Sequence, residues 1–151
     1  MAYEIETREL MGKPTAEIHV VAGWHGIADA LAGIFGEVME YVGIDGIGPD
    51  GIAFGRYTPR GAEVAIEAGF TTLKPVAPSG RIQPGRLPGG EAAVCLHVGP
   101  YGEVAKAYAA VQEWIAKEGR KPAGPPWEAY LSGPDEDPPR TEVVFPLLPR
   151  E

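Results

Sequence analysis

The chain has 151 residues, a formal net charge of −8 and a single cysteine, which together fit one globular domain and exclude an internal disulfide. Its only adjacent basic residues are Arg120 and Lys121, so we expect no direct binding to nucleic acid, because that requires clustered cations. No apolar run approaches the length of a membrane span, so we expect a cytoplasmic protein without membrane contact.

The first half of the chain predicts two strands, a helix and a hairpin in that order. The strands are residues 3–10 and 17–22, the second of which is rich in β-branched residues. Apolar residues at helical spacing over 27–42 predict an amphipathic helix, which ends in a Gly/Pro-rich turn. Residues 52–57 and 63–66 then predict the two strands of a hairpin.

The second half of the chain predicts the same elements again. Residues 81–87 form a weaker opening strand and residues 92–98 a second strand. A helical apolar stripe follows, on which we expect Tyr108 to be a core residue, with Trp114 beside the stripe as a core anchor. The closing hairpin pairs 127–131 with 142–145.

The two halves also resemble each other residue by residue. At an offset of 76 positions, residues 16–58 align without a gap to residues 92–134, and 8 of these 43 pairs are identical. We therefore predict one domain made of repeats 1–73 and 80–149. The fold class is α+β, with duplicated β-α-β-β units in an antiparallel sheet, both helices on one face and a pseudo-twofold cleft between the halves.

Several segments of the second half, taken in order, resemble the GyrI-like small-molecule-binding domain. They are Leu87–Gly90, His97–Tyr101, Trp114, Pro126–Leu131 and the acidic turn over residues 134–139. The same domain serves as the effector-binding module of multidrug-sensing and AraC-type transcription regulators. The resemblance implies a central acidic residue on a strand among aromatic residues, a position that Glu128 occupies, with Tyr101 at the Gly-Pro-Tyr position.

Strand alternation places Glu128 and Tyr130 on one face of their strand. The repeat pairs Ile52 with Glu128 and Phe54 with Tyr130, so we expect these four side chains to line the cleft from its two sides. Beside each helix start lies an aromatic residue that we expect to close an end of the cleft. Those residues are Trp24 and Tyr101, and the further ligand-contact candidates are Tyr57 and Phe145.

Three functions fit this pattern. The first is a stand-alone protein that binds hydrophobic or cationic drug-like compounds, with Glu128 as the counter-ion. The second is a hydrolase of reactive cyclopropane-type natural products, with Glu128 as general base and Tyr101 assisting. The third is a protein-interaction module, as gyrase-inhibiting relatives suggest. The alternative for Glu128 itself is that it lies on a solvent-exposed face of its strand and has no role in a site.

The sequence predicts no metal site and no cofactor. His19, His25, His97 and Cys95 have no further ligands at a familiar metal spacing, so we expect hydrogen-bonded structural histidines and a buried thiol. The acidic turn over residues 135–137 lacks the spacing of a calcium loop and is expected to be a solvated hairpin tip. The oligomeric state stays open.

Overall fold

The structure, a computed structural model, describes residues 3–132 and 136–150. The described residues form eight antiparallel strands and two α-helices, so the predicted α+β fold is confirmed. In chain order they are β1 (Ile5–Leu10), β2 (Lys13–Gly23), α1 (Ile27–Ile47), β3 (Ala53–Arg60), β4 (Glu63–Thr71), β5 (Gln83–Leu87), β6 (Gly90–Val98), α2 (Ala105–Lys117), β7 (Trp127–Tyr130) and β8 (Arg140–Pro146). Within the described residues, neither helix combines the length and the apolar character that a membrane crossing requires.

The chain forms two compact units, each a four-stranded antiparallel sheet with one helix. The central unit, Gly12–Leu87, has the strand order β3-β4-β2-β5. The terminal unit joins Met1–Met11 to Pro88–Glu151 and has the order β1-β6-β8-β7. The opening strand of each sequence repeat thus belongs to the unit of the other repeat, because β1 pairs with β6 and β5 pairs with β2.

In the central unit, α1 covers one face of the sheet. Alternate residues of β2, beginning with Ala16 and Ile18, point to this face, as do Val64 and Ile66 of β4. Because the side chains of a strand alternate between its faces, Thr15, Glu17 and His19 lie on the opposite, helix-free face. Burial of the apolar stripe of α1 against these strands forms the core of this unit.

The long helix α1 is interrupted close to the predicted end of the helical pattern. Gly43 has φ 79° and ψ 161°, a conformation that side-chain-bearing residues avoid. The chain turns there and adds a short helical segment up to Ile47.

In the terminal unit, α2 packs on β6 and β8. Its buried residues Ala107, Val111 and Ile115 contact a layer that includes Cys95 and Val143. The Cys95 side chain is fully buried, as the sequence predicts, and burial raises the pKa of its thiol to about 11. The face of the terminal sheet that carries this layer is the face that α2 covers.

Candidate functional site

Glu128 lies on β7, on the face of the terminal sheet that α2 covers. Its partner across the strand pair is the core residue Val143, and Tyr130 lies opposite Thr141. Only 3% of Glu128 is exposed to solvent, so the alternative of a solvated strand face is wrong. The expectation that Glu128 and Tyr130 share a strand face is confirmed, since their side chains are hydrogen-bonded.

Three tyrosine hydroxyls donate hydrogen bonds to the Glu128 carboxylate. Oε1 accepts from Tyr101 and from Tyr130, the latter at 2.8 Å, and Oε2 accepts from Tyr108 at 2.6 Å. The Tyr101 and Tyr130 hydroxyls are also 3.4 Å apart, and their ring centroids are separated by 6.0 Å. We call Glu128 with these three residues the tyrosine cluster. Such donors offset the loss of water around a buried carboxylate, which is costly when it is not hydrogen-bonded.

Tyr108 is a functional candidate that the sequence analysis assigned only to the core. Its ring does pack against the terminal core, with its centroid 5.9 Å from that of Phe145 in an edge-to-face arrangement. Its hydroxyl, however, extends from α2 to Glu128. A buried tyrosine ring generally brings its hydroxyl to a polar partner, and this was the signal in the sequence that could have identified it.

Tyr101 reaches Glu128 from the loop between β6 and α2, where residues Tyr101–Glu103 form a 3₁₀ turn. His97 holds this loop, because its Nε2 lies 2.9 Å from the carbonyl oxygen of Pro100. A carbonyl only accepts, so Nε2 carries the proton and Nδ1 accepts from the Tyr3 hydroxyl at 2.9 Å. His97 therefore has the structural, hydrogen-bonded role that the sequence predicts.

The tyrosine cluster contains no compensating positive charge. Across residues 3–132 and 136–150, no Lys, Arg or His forms an ion pair with Glu128. The donors to the carboxylate seen among the described residues are hydroxyl groups, whereas buried charges are usually paired with an opposite charge. The site therefore combines aromatic rings with a buried carboxylate that forms no ion pair in the described part of the chain.

The register of the central sheet corrects the proposed pairing of Ile52 with Glu128 and of Phe54 with Tyr130. Gly55 lies opposite Ala68, and Tyr57 lies opposite Ile66, on the face that α1 covers. By position in their sheets, Gly55 and Tyr57 are therefore the counterparts of Glu128 and Tyr130. The gapless alignment missed this because the segments that precede the two strands differ in length, with 21 residues in α1 and 13 in α2.

The other predicted site residues lie on several different elements of the fold. Phe54 is fully buried on the helix-free face, where the Arg56 guanidinium carbon lies 5.7 Å from its ring centroid, and the Ile52 amide donates to Thr71 Oγ1 at 3.0 Å. Trp24 is 45% exposed, and its indole donates to the Gly61 carbonyl at 3.2 Å. Tyr57 packs on the central core and Phe145 lies in the terminal core. A ligand contact by these residues stays a prediction.

A second buried carboxylate, Glu17, lies on the helix-free face of the central sheet. It accepts from Thr15 at 2.5 Å and lies 2.6 Å from His19 Nε2, and ligand atoms of Glu17, His19 and Glu67 lie within 4.8 Å of one another. Arg56, however, pairs with both carboxylates, at 3.3 Å from Glu17 and 3.1 Å from Glu67. The cation in this cluster is therefore a guanidinium. The predicted acidic turn over residues 135–137 includes residue 135, which lies outside the described residues.

Fold and site together define an α+β domain that encloses a carboxylate among tyrosines, a design suited to binding small molecules. The family model described as the GyrI-like small molecule binding domain matches residues 53–148. The chain belongs to this family, and the resemblance inferred from the sequence is confirmed. No curated protein matches the chain at a significant level.

Solved structures share the fold at low sequence identity. EcmrR in its complex with DNA has a TM-score of 0.81 at 21% identity, over 97% of this chain and 58% of EcmrR, so the chain spans little more than half of that protein. The isolated EcmrR C-terminal domain has a TM-score of 0.79 at 19% identity, over 98% of this chain and 99% of that domain. A hydrolase from Listeria innocua has a TM-score of 0.64 at 15% sequence identity, over 97% of this chain and 93% of the hydrolase. SAV2435 bound to tetraphenylphosphonium has a TM-score of 0.58 at 16% sequence identity, over 98% of this chain and 94% of SAV2435.

Proposed function

We propose that this protein binds hydrophobic cations of drug size, with Glu128 as the counter-ion and the rings of the tyrosine cluster as the contact surface. The observation that carries the proposal is the buried Glu128 carboxylate, which accepts three hydroxyl hydrogen bonds and forms no ion pair within the described residues. Tetraphenylphosphonium in the related SAV2435 is a ligand of this chemical class.

The tyrosine hydroxyls stabilise the Glu128 carboxylate in the absence of a bound cation. In the free protein they replace the water that the carboxylate loses on burial. A bound cation adds attraction to the carboxylate and to the faces of the rings in a medium of low dielectric. Tyr101 is 38% exposed and lies on a loop, so its side chain is the element whose displacement gives a ligand access to Glu128.

The test is a titration with tetraphenylphosphonium, followed by tryptophan fluorescence and calorimetry, alongside the neutral triphenylphosphine oxide. We expect Glu128→Gln to weaken binding of the cation by roughly tenfold to hundredfold, the range of a charge-assisted interaction. Binding of the neutral compound should change by less than about twofold. The control is Glu113→Gln on the exposed face of α2, which changes the net charge equally.

Two results would exclude the proposal. One is that the cation and the neutral compound bind with equal affinity to the natural protein. The other is that Glu113→Gln weakens cation binding as much as Glu128→Gln, which would reduce the effect of Glu128 to net charge.

A hydrolytic activity is the second candidate. The Tyr101 hydroxyl donates a hydrogen bond to the carboxylate of Glu128, and one structural relative is described as a hydrolase. Glu128 would take a proton from water while the water oxygen bonds to an electrophilic carbon of a strained ring, and Tyr101 would donate to the departing group. Mass spectrometry should then detect a product heavier than the substrate by one water. Glu128→Gln should abolish this product while substrate binding persists.

A further inference from the structure

The strand β1 lies at an edge of the terminal sheet, and one of its two sides is open. It pairs with β6 over residues 5–10, and no described residue pairs with its other side. The backbone N–H and C=O groups that point away from β6 therefore form an unpaired row, which another strand can join. The side chains of Glu6, Thr7 and Glu9 are exposed along this strand, so it is accessible from solution.

An edge strand of the central sheet, β5, shows how a protein keeps such an edge from pairing. It has 5 residues, two of which are Pro84 and Gly85. Proline lacks the N–H group that a strand ladder needs, and both residue types weaken strand pairing. The strand β1 has 6 residues and contains neither proline nor glycine. It therefore lacks these two protective devices.

The charges of β1 are complementary to themselves across a twofold axis at Thr7. Antiparallel pairing of two copies about this axis places Glu6 of each copy opposite Arg8 of the other. Arg8 Nε donates to Glu6 at 3.1 Å within one chain, so both side chains lie on the same face, as the pairing requires. An axis at Glu6 or at Arg8 would instead place two like charges opposite each other, which destabilises a ladder. Thr7 is therefore the centre that the charges favour.

The other acidic residues of this segment face apolar residues in the same register. Glu9 lies opposite Ile5, and Glu4 lies opposite Leu10, when positions are counted from Thr7. No two carboxylates of residues 4–10 are therefore directly opposed.

Arg8 can bind a further carboxylate in addition to those of its own chain. It makes four hydrogen bonds within the chain, two to Glu6 and two to Glu142. A guanidinium has five N–H groups, so one of them is left for Glu6 of a second copy. The cross-strand pair therefore adds to the network of Arg8 and does not have to replace it.

The same register also covers an apolar side chain that is exposed in the single chain. Met11 is 86% exposed, and in this register it lies opposite Tyr3 of the second copy. A cavity of about 980 Å³, whose walls include Tyr3 and Glu4, leaves room for it there. Burial of a methionine against an aromatic ring contributes favourably to association.

We propose that two copies of this protein pair antiparallel through β1 about a twofold axis at Thr7, with the ion pair between Glu6 and Arg8 formed twice. The interface joins two terminal sheets into one continuous sheet across the axis. The tyrosine cluster contributes no residue to this interface, so the inference goes beyond ligand binding at Glu128 and is tested separately from it.

The first experiment is sedimentation equilibrium of the full chain at pH 7. The mass should rise from the 16.0 kDa of one chain toward twice that value as the protein concentration increases from about 10 µM to about 1 mM. Glu6→Arg and Arg8→Glu should each weaken self-association by roughly tenfold, because both cross-strand pairs then join like charges. An equimolar mixture of the two variants should associate again, since each supplies the charge that the other lacks. The control is Glu9→Arg, which changes the net charge as Glu6→Arg does and should alter association by less than about twofold.

The second experiment leaves every charge of the Glu6–Arg8 pairs in place and tests the register directly. Two copies of Thr7 lie opposite each other at a Cα separation of about 4.5–5.5 Å, which is within the range of a disulfide. Thr7→Cys should therefore form a disulfide-linked dimer when oxidised glutathione accepts the two electrons. In the control Glu9→Cys, the two thiols lie about 13 Å apart along the strands and should not be linked. The natural thiol of Cys95 is buried and does not compete.

The proposal is overturned if the mass stays at that of one chain up to about 1 mM. It is also overturned if the mixture of Glu6→Arg and Arg8→Glu associates no more than either variant alone while both remain folded by circular dichroism. Equal rates of cross-linking for Thr7→Cys and Glu9→Cys would exclude the register about Thr7. None of these outcomes bears on cation binding at Glu128.

Discussion

Replacing Tyr108 with phenylalanine removes one hydroxyl from Glu128 and leaves the rest of the site in place. The phenylalanine ring keeps the contact with Phe145, so the loss is the 2.6 Å hydrogen bond to Oε2. A hydrogen bond to a charged group contributes about 1.5–3 kcal/mol. For a chain of this size, about 1 kcal/mol corresponds to roughly 2–4 °C in the unfolding midpoint. We therefore expect Tyr108→Phe to lower the midpoint by about 3–12 °C.

The decisive measurement is a double-mutant cycle with Glu128→Gln, followed by urea unfolding. In the Glu128→Gln background the acceptor is no longer charged, so Tyr108→Phe should cost about 1 kcal/mol less than in the natural protein. Tyr3→Phe is the control, because the Tyr3 hydroxyl serves His97, and its cost should be the same in both backgrounds. If the costs of Tyr108→Phe and Glu128→Gln add within about 0.5 kcal/mol, the two groups are not coupled and the reasoning about the tyrosine cluster is refuted.

Two further predictions concern residues away from the site. Because burial raises the pKa of the Cys95 thiol to about 11, we expect no labelling by a thiol reagent at pH 8 in the folded protein and full labelling in urea; rapid labelling without urea would contradict this. Gly43→Ala should destabilise the protein by roughly 1–3 kcal/mol in urea unfolding, because its φ of 79° and ψ of 161° are restricted to glycine. Its matched control, Gly36→Ala in the regular, open part of α1, should stabilise by roughly 0.5–1 kcal/mol, and the same sign for both variants would contradict the conformational argument.

Local patterns predicted the elements of this fold well. The apolar spacing over residues 27–42 marks the regular part of α1, and the weak strand over residues 81–87 corresponds to β5. The exchange of opening strands was not predictable in the same way. Alternation fixes which face of a strand is buried, but it does not identify the strand beside it. Both β2 and β6 present suitable partners, and only tertiary packing assigns β1 to β6 and β5 to β2.

The contact between Glu128 and Tyr130 was predictable because both residues lie on one strand. Period-two alternation was enough to bring Glu128 and Tyr130 together, and the hydrogen bond between them follows from it. Tyr108 was missed because helical periodicity places a ring on a buried stripe without specifying where its hydroxyl extends. Ile52 and Phe54 were misaligned because a gapless repeat ignores the different lengths of the two helices that precede the closing hairpins.

The two sheets differ at the register position that Glu128 occupies. At equivalent register positions the terminal sheet has Glu128 and the central sheet has Gly55, while Tyr130 and Tyr57 correspond. Because glycine has no side chain, the position in the central sheet that corresponds to Glu128 brings no carboxylate to this face. Tyr101, Tyr108 and Tyr130, whose hydroxyls donate to Glu128, belong to the terminal unit, as Glu128 does. The duplicated fold therefore supplies similar sheet positions twice, and the difference between a glycine and a glutamate explains why the terminal sheet has a buried carboxylate at this position and the central sheet does not.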